Sequence, residues 1–405
     1  MTRQLVSLSN HCDFLAGYSF KSSRFSHSPE DVPLVKGENL GHREIDWIKA
    51  VRWPASEAKD FEKFELNPGD VVLAMDRPIV QGRLKFSWIR NHEPRALLVQ
   101  RVARLRGYNG LETDFLRYLV ASPAFQAHIE TITTGVNVPH ISGKDILSYS
   151  FALPTLSTQQ RIAEILSNYD RFIDNNNRRI ALLEESIHLL YKEWFVRSRF
   201  PGYESVKIVD GIPEGWKVSS IGNLSEVITR GITPKYDSES KNIVLNQKCI
   251  RNYQINFEFA RQHHSQVSEH KKIRYGDVLI NSTGIGTLGR VAQVLTNFED
   301  LTVDTHITIV RPKVEIEKHF FGVALENLQD YFDTLGEGAT GQTELKRQLL
   351  NVVPLVLPDE NIRKYFDEKA SSARLLVQKL LEQNQRLKQA RDLLLPRLIN
   401  GSIAV

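Results

Sequence analysis

The stretch LPTLSTQQRIAEILSNYDRFIDNNNRRIALLEESIHLLYKEWF, Leu153 to Phe195, decides how this chain is built. Ile162, Leu166, Tyr169, Ile173, Asn176, Ile180, Leu183, Ile187, Leu190 and Trp194 follow one another in alternating steps of four and three. That is the seam of a helix packed along its length against another helix. Ser157 and Gln160 have the spacing of a capping box, and Pro201 with Gly202 stops the run. The pattern returns 204 residues later from Leu357 and Pro358. Its seam is Phe366, Ala370, Ala373, Val377, Leu380, Asn384, Leu387, Arg391 and Leu394, and again one Asn interrupts it. A lone helix of this kind packs on its own domain. Two matched ones, each roughly 55–60 Å long at 1.5 Å per residue, are expected to pair with each other. Asn176 and Asn384 then lie near the midpoints, where a buried Asn fixes register at some cost in stability.

The segments ahead of each run repeat as well. Gly69, Asp70, Val71 and Gly82, Arg83 recur 207 residues on as Gly276, Asp277, Val278 and Gly289, Arg290, and Thr134, Gly135 recurs at 206. Strand patterns start at Gly69, Ala96, Lys217, Gly276, Gly289 and Thr305, and amphipathic helices are expected over 113–133 and 318–335. The expectation is an α+β protein of four segments: globular domains over 1–152 and 203–356, each followed by a long helical region, 153–202 and 357–405. Pseudo-two-fold symmetry makes the helix pair an antiparallel coiled coil with one domain at each end. An internally symmetric chain suits a ligand with two similar faces at a fixed distance, and duplex DNA is such a ligand.

Charge is a weak guide, because 52 Lys and Arg against 48 Asp and Glu leave only +4. Its distribution says more: Arg77, Arg83, Lys85, Arg90, Arg95, Arg101, Arg104 and Arg106 are opposed only by Glu93. Such a run is either a solvated basic face or a polyanion site. Cys12 and Cys249 have no CxxC or CxxH neighbour, so neither a disulfide framework nor a zinc site is indicated. No apolar stretch approaches the ~20 residues that cross a bilayer, and the N-terminus lacks a signal core. A cytoplasmic protein without a membrane partner is expected.

Catalytic signatures fail one by one. There is no GxxxxGK[ST] and no adjacent proline pair, which removes a P-loop and the Pro-Pro-Tyr/Phe motif of amino-methyltransferases. The triads Gly284, Gly286, Gly289 and Gly336, Gly338, Gly341 mimic a dinucleotide fingerprint. The first, however, leads into a strand and the second follows a helix, so turn glycines are the better reading. Glu344 with Lys346 and Glu57 with Lys59 match the ExK end of a nuclease motif by chance spacing, and His263, His264 and His270 lack the i, i+4 spacing of a ligand pair. No catalytic residue, metal ligand or cofactor is expected.

What remains is a set of polar loops between strands. ITRGITPKY contributes Arg230 and Lys235; NQKCIRN contributes Gln247, Lys248 and Arg251; NSTGIGTLGR contributes Thr283, Thr287 and Arg290; GATGQTELKR contributes Gln342. Arg77, Arg83 and Lys85 are their counterparts in the first half. Arg, Lys, Gln and Thr grip phosphates and read base edges, and Gly permits close backbone approach. Ordinary surface turns are the bland reading of any one loop.

The first long run with LLYKEWF, the closing LLPRLINGSI, and GDVLINSTGIGTLGRV with ITRGITP together resemble the specificity subunit of a type I restriction-modification system, over essentially the whole chain. The first domain, with LVKGENLGHREIDW and GDVVLAMDRPIVQGR, matches more loosely. The resemblance implies two target-recognition domains, each reading one half of a split double-stranded DNA sequence, and a helix pair that sets the gap. It implies two modification subunits that carry S-adenosylmethionine and flip an adenine, and restriction subunits with motors, while this chain has no chemistry of its own. Two alternatives stay open. One is the specificity region of a fused restriction-methyltransferase, against which Met1 and a complete second half argue. The other is a coiled-coil scaffold that binds only protein.

Overall fold

The structure is a computed structural model that describes residues 4–133, 139–338 and 343–405. It forms two compact units, Met1–Asp174 with Asn384–Val405, and Asn175–Gln383. Each long helix contributes one part to each unit.

In the first unit an antiparallel sheet runs in the order Cys12–Ala16, Val102–Gly107, Val71–Ala74, Phe86–Trp88. Beside it Val32–Val35 and Ala96–Leu98 pair in parallel, flanked by Arg52–Trp53 and Glu65–Leu66. The expected single strand from Ala96 is therefore two, turned at Arg101, whose φ is +68°. The expected helix over 113–133 is likewise two, Thr113–Val120 and Pro123–Ile132. Pro123 has no N–H for the preceding turn, so the first helix ends ahead of it, and the Ser122 hydroxyl accepts from Phe125 N to cap the second.

The second unit repeats this order. Ser225–Arg230, Ile307–Pro312, Val278–Asn281 and Val291–Gln293 form its antiparallel sheet, and Ile243–Leu245 pairs in parallel with Leu301–Val303. The expected helix over 318–335 is again two, Lys318–Asn327 and Gln329–Thr334. The small pair Gln4–Ser7 with Ser150–Leu153 recurs as Lys217–Ser220 with Pro354–Leu357, immediately before each long helix. Even the joints match. Gln159 Nε2 donates to Pro154 O at 2.9 Å, and 204 residues later Arg363 donates to Pro358 O at 2.9 Å.

The first long helix spans Leu156–Tyr191 and the second Glu360–Ile399. The first is capped by Thr155, whose hydroxyl accepts from Thr158 N at 3.4 Å, in place of the expected Ser157 box. Their seam residues face inward. Ile162, Leu166, Ile173, Asn176, Ile180, Ile187, Val377, Leu380 and Asn384 are buried, and Leu183, Leu190, Leu387 and Leu394 are half-buried. Within the first unit Ile162 and Leu166 share a core with Leu395 and Leu398, and Asp170 meets Arg391 at 2.6 Å. Within the second, Asn176 Nδ2 donates to Gln383 at 3.2 Å, and Ile180 packs with Val377 and Leu380. In each unit the partner number falls as the helix number rises, so the two helices run antiparallel, as a coiled coil does.

Each unit is joined to its helices by a buried charged cluster. In the first, Asp170 on one helix takes Arg391 from the other and the Tyr118 hydroxyl, the latter at 2.6 Å. In the second the polarity is reversed: Arg374, 204 residues after Asp170, donates to Glu326 at 2.5 Å and to Gln293 at 2.6 Å. Breaking such a pair strands a buried charge. Among the described residues no helix is long and apolar enough to cross a membrane, and no three His, Cys, Asp or Glu side chains are placed to share a metal ion.

Candidate nucleic-acid interface

One hairpin in each unit carries three of the candidate loop residues, Arg77, Arg83 and Lys85 in the first and Thr283, Thr287 and Arg290 in the second. In the first unit it joins Val71–Ala74 to Phe86–Trp88; in the second it joins Val278–Asn281 to Val291–Gln293. The glycine triad 284, 286, 289 lies in the second of these loops, with φ of +106°, +67° and +76°. Those are turn glycines between strands, with no helix N-terminus to face a pyrophosphate. Gly289 has a second reason, because a Cβ there would come within 2.6 Å of Asp333 N.

The register corrects the sequence alignment of the halves. The shared Gly-Arg pairs Arg83 with Arg290, but Leu73 opposes Phe86 as Ile280 opposes Val291. Ala74 N donates to Lys85 O at 2.9 Å just as Asn281 N donates to Arg290 O at 2.8 Å. The counterpart of Arg290 is therefore Lys85. The first loop is two residues longer and spends them on an added pairing of Ile79–Val80 with Arg83–Leu84 around Gln81 and Gly82. Lys85 and Arg290 share their electrostatics too. Burial and the nearby Arg77 lower the pKa of Lys85, and burial and the nearby Arg251 lower that of Arg290. A cation held half-buried beside a second cation gains when an anion arrives.

The remaining candidates divide. Arg77, with φ +45°, and Arg83 are exposed on the first loop. Lys235, Lys248 and Arg251 are exposed, and Gln247 is half-buried against the Gly284 turn. Thr283 Oγ1 lies 2.6 Å from His306 Nδ1, and Thr287 Oγ1 donates to Gly284 O at 3.2 Å. Arg230 is spent internally: its guanidinium donates to Thr305 O, Glu344 and Leu345 O at 2.8–3.0 Å. It ties the segment at 344–345 to the strand Ser225–Arg230. Gln342, Thr134, Gly135 and Gly341 lie outside the described residues.

The basic run of the first half is corrected in the same way. Arg90 pairs with Asp174 and Glu93, Arg95 with Glu65, Arg101 with Asp76, Arg104 with Asp13 and Arg106 with Asp70. Each of these five arginines thus meets an acid at least 25 residues away in sequence, whereas Arg77 and Arg83 at the hairpin end of the run are exposed. The sequence reading also missed Gln126, whose amide donates to Gly82 O at 2.9 Å and holds the first hairpin tip.

Residues 12–185 match the family model described as the type I restriction modification DNA specificity domain. The type I restriction enzyme MjaVIII specificity subunit of Methanocaldococcus jannaschii is 28% identical over 184 residues, covering 45% of this chain and 43% of its own length. The chain thus spans less than half of that relative. The HindI specificity subunit of Haemophilus influenzae is 22% identical over 462 residues, covering 94% of this chain and 95% of its own. The crystal structure of a type I restriction-modification S subunit from M. genitalium has the same fold, with a TM-score of 0.53 at 15% identity over 98% of this chain and 96% of that one. By its matched domain and its relatives the chain is similar to the specificity subunits of type I restriction-modification systems, and it shares the fold of a solved S subunit.

Proposed function

We propose that this chain reads a bipartite sequence in double-stranded DNA, one half-site per recognition domain, and that it scaffolds two adenine-modifying methyltransferase subunits and the restriction subunits of a cytoplasmic complex. The recognition domains are the segments 1–152 and 203–356, and the helical regions 153–202 and 357–405 join them. The observation that carries the reading is the repeated hairpin with its half-buried cation, Lys85 beside Arg77 and Arg290 beside Arg251. Arg83, Lys235, Lys248 and Arg251 supply further exposed cations, while Gln247, Thr283 and Thr287 supply uncharged hydrogen-bonding groups at the same loops. Cations of this kind hold phosphates, and the amide and hydroxyl groups read base edges. The chain carries no chemistry and no cofactor of its own in this reading. Catalysis belongs to its partners.

The test is to map methylated adenines, by single-molecule sequencing, in cells that hold the chain with its modification subunit. A split target with two defined halves and a fixed gap is expected, and it disappears when the chain is deleted. Methylation by the purified chain alone with S-adenosylmethionine would overturn the division of labour.

A further inference from the structure

Each recognition hairpin carries one β-branched apolar side chain out into solvent near its tip. Ile285 is 81% exposed and Val80 is 46% exposed. Counted back from the returning strand they hold the same place, six residues before Val291 and six before Phe86. Single exposed apolar residues are ordinary on a protein surface. A matched pair at the tips of two duplicated hairpins is a different observation, because the loops around them differ in length and in sequence.

Both tips are also held in place. In the second unit Thr287 N donates to Gly284 O at 3.1 Å and closes the turn around Ile285, and the Arg290 guanidinium donates to Gly286 O at 2.7 Å. In the first, Gln81 and Gly82 have φ of +51° and +72°, the left-handed pair of a tight hairpin turn, and Gln126 donates to Gly82 O at 2.9 Å. An apolar side chain on a fixed tip keeps little freedom to lose on contact, so it discriminates well.

The first tip is a two-stranded ribbon and the second a tight turn closing a pair of strands, and the DNA major groove, about 12 Å wide, admits a two-stranded ribbon. On the base edges of the major groove the apolar group is the C5-methyl of thymine. We propose that Ile285 and Val80 each read a thymine by packing on its 5-methyl group, one in each half-site. The inference rests on the DNA-reading function proposed above and adds to it a named base and the side chains that select it. Thr283, Thr287 and Gln247 hydrogen-bond beside this contact but cannot tell thymine from uracil. The methyl contact can.

The experiment uses the full chain bound to its modification subunit. Selection from a random-sequence duplex pool yields the two half-sites, and each thymine in them is then replaced in turn by deoxyuridine, which removes only the methyl. One such replacement in each half-site is expected to weaken binding about fourfold, the worth of one buried methyl-sized group. Ile285→Ala should abolish that sensitivity in one half-site and leave it in the other, and Val80→Ala should do the converse. Both side chains are exposed, so both variants should melt like the parent. Sequence-selective binding that is indifferent to every deoxyuridine, a selected half-site with no thymine, or variants that keep full sensitivity would each overturn the inference and leave the function standing. A pool from which no sequence is selected overturns both.

Discussion

Asp277 holds Arg311 through two N–H···O bonds of 2.8 Å each, with both side chains buried. The same pairing stands in the first unit, where Asp70 takes Arg106, with one bond at 2.8 Å. Each aspartate also accepts a backbone N–H three residues back, from Asn67 and from Arg274, at 2.7 Å. The duplicated Gly-Asp-Val is thus a strand start, pinned by its Asp to the neighbouring strand.

The two copies should differ in cost. Asp277→Ala strands a guanidinium 7% exposed and should destabilise by about 3 kcal/mol. Asp70→Ala leaves Arg106 at 31% exposure, where water takes over, and should cost roughly 1 kcal/mol. Urea unfolding of the two variants checks the order; equal losses would contradict it.

The hairpin register predicts which cation matters. Lys85→Ala and Arg290→Ala should each weaken DNA binding at every sequence and lower the slope of log affinity against log salt by about 1 if they hold phosphate. Arg83→Ala, displaced two residues from that place, should have the smaller effect. Binding titrations at several salt concentrations decide it, and a larger effect at Arg83 would restore the alignment that the register corrects.

The helix pair predicts a spacing. Four residues inserted beside Asn176 add about 6 Å and nearly preserve helical phase. Two base-pair steps at about 3.4 Å have a similar length. Methylome mapping of the insertion mutant should give unchanged half-sites with a gap longer by one or two base pairs; an unchanged gap in a functional mutant refutes the ruler.

Histidine 319 predicts a pH response. Its Nε2 lies 3.0 Å from the Tyr275 hydroxyl, and burial, reinforced by Arg374 and Lys318, pushes its pKa down to about 4. The unfolded chain takes up this proton near pH 6.5 and the folded one does not, so the stability contributed by neutral His319 is full above pH 6.5 and is lost as pH falls toward 4. Between pH 7 and 5 that loss is about 2 kcal/mol. In His319→Gln the fall over this range should shrink by that amount in urea unfolding.

The sequence by itself determined the α+β class, the duplication and the paired helices, because a heptad seam and a repeated Gly-Asp-Val are local patterns that survive any detail of folding. It also marked the hairpin loops, since left-handed turns favour Gly, as at Gly82, Gly284, Gly286 and Gly289. Only the tertiary structure decided the roles of the charged side chains. Arg230 and five arginines of the basic run lie next to acids or carbonyls distant in sequence, and nothing in their own neighbourhood announces the partner. The pairing of Lys85 with Arg290 was hidden for a related reason: two extra residues in the first loop shift the register, and register is a property of hydrogen bonds across strands, which no single strand carries.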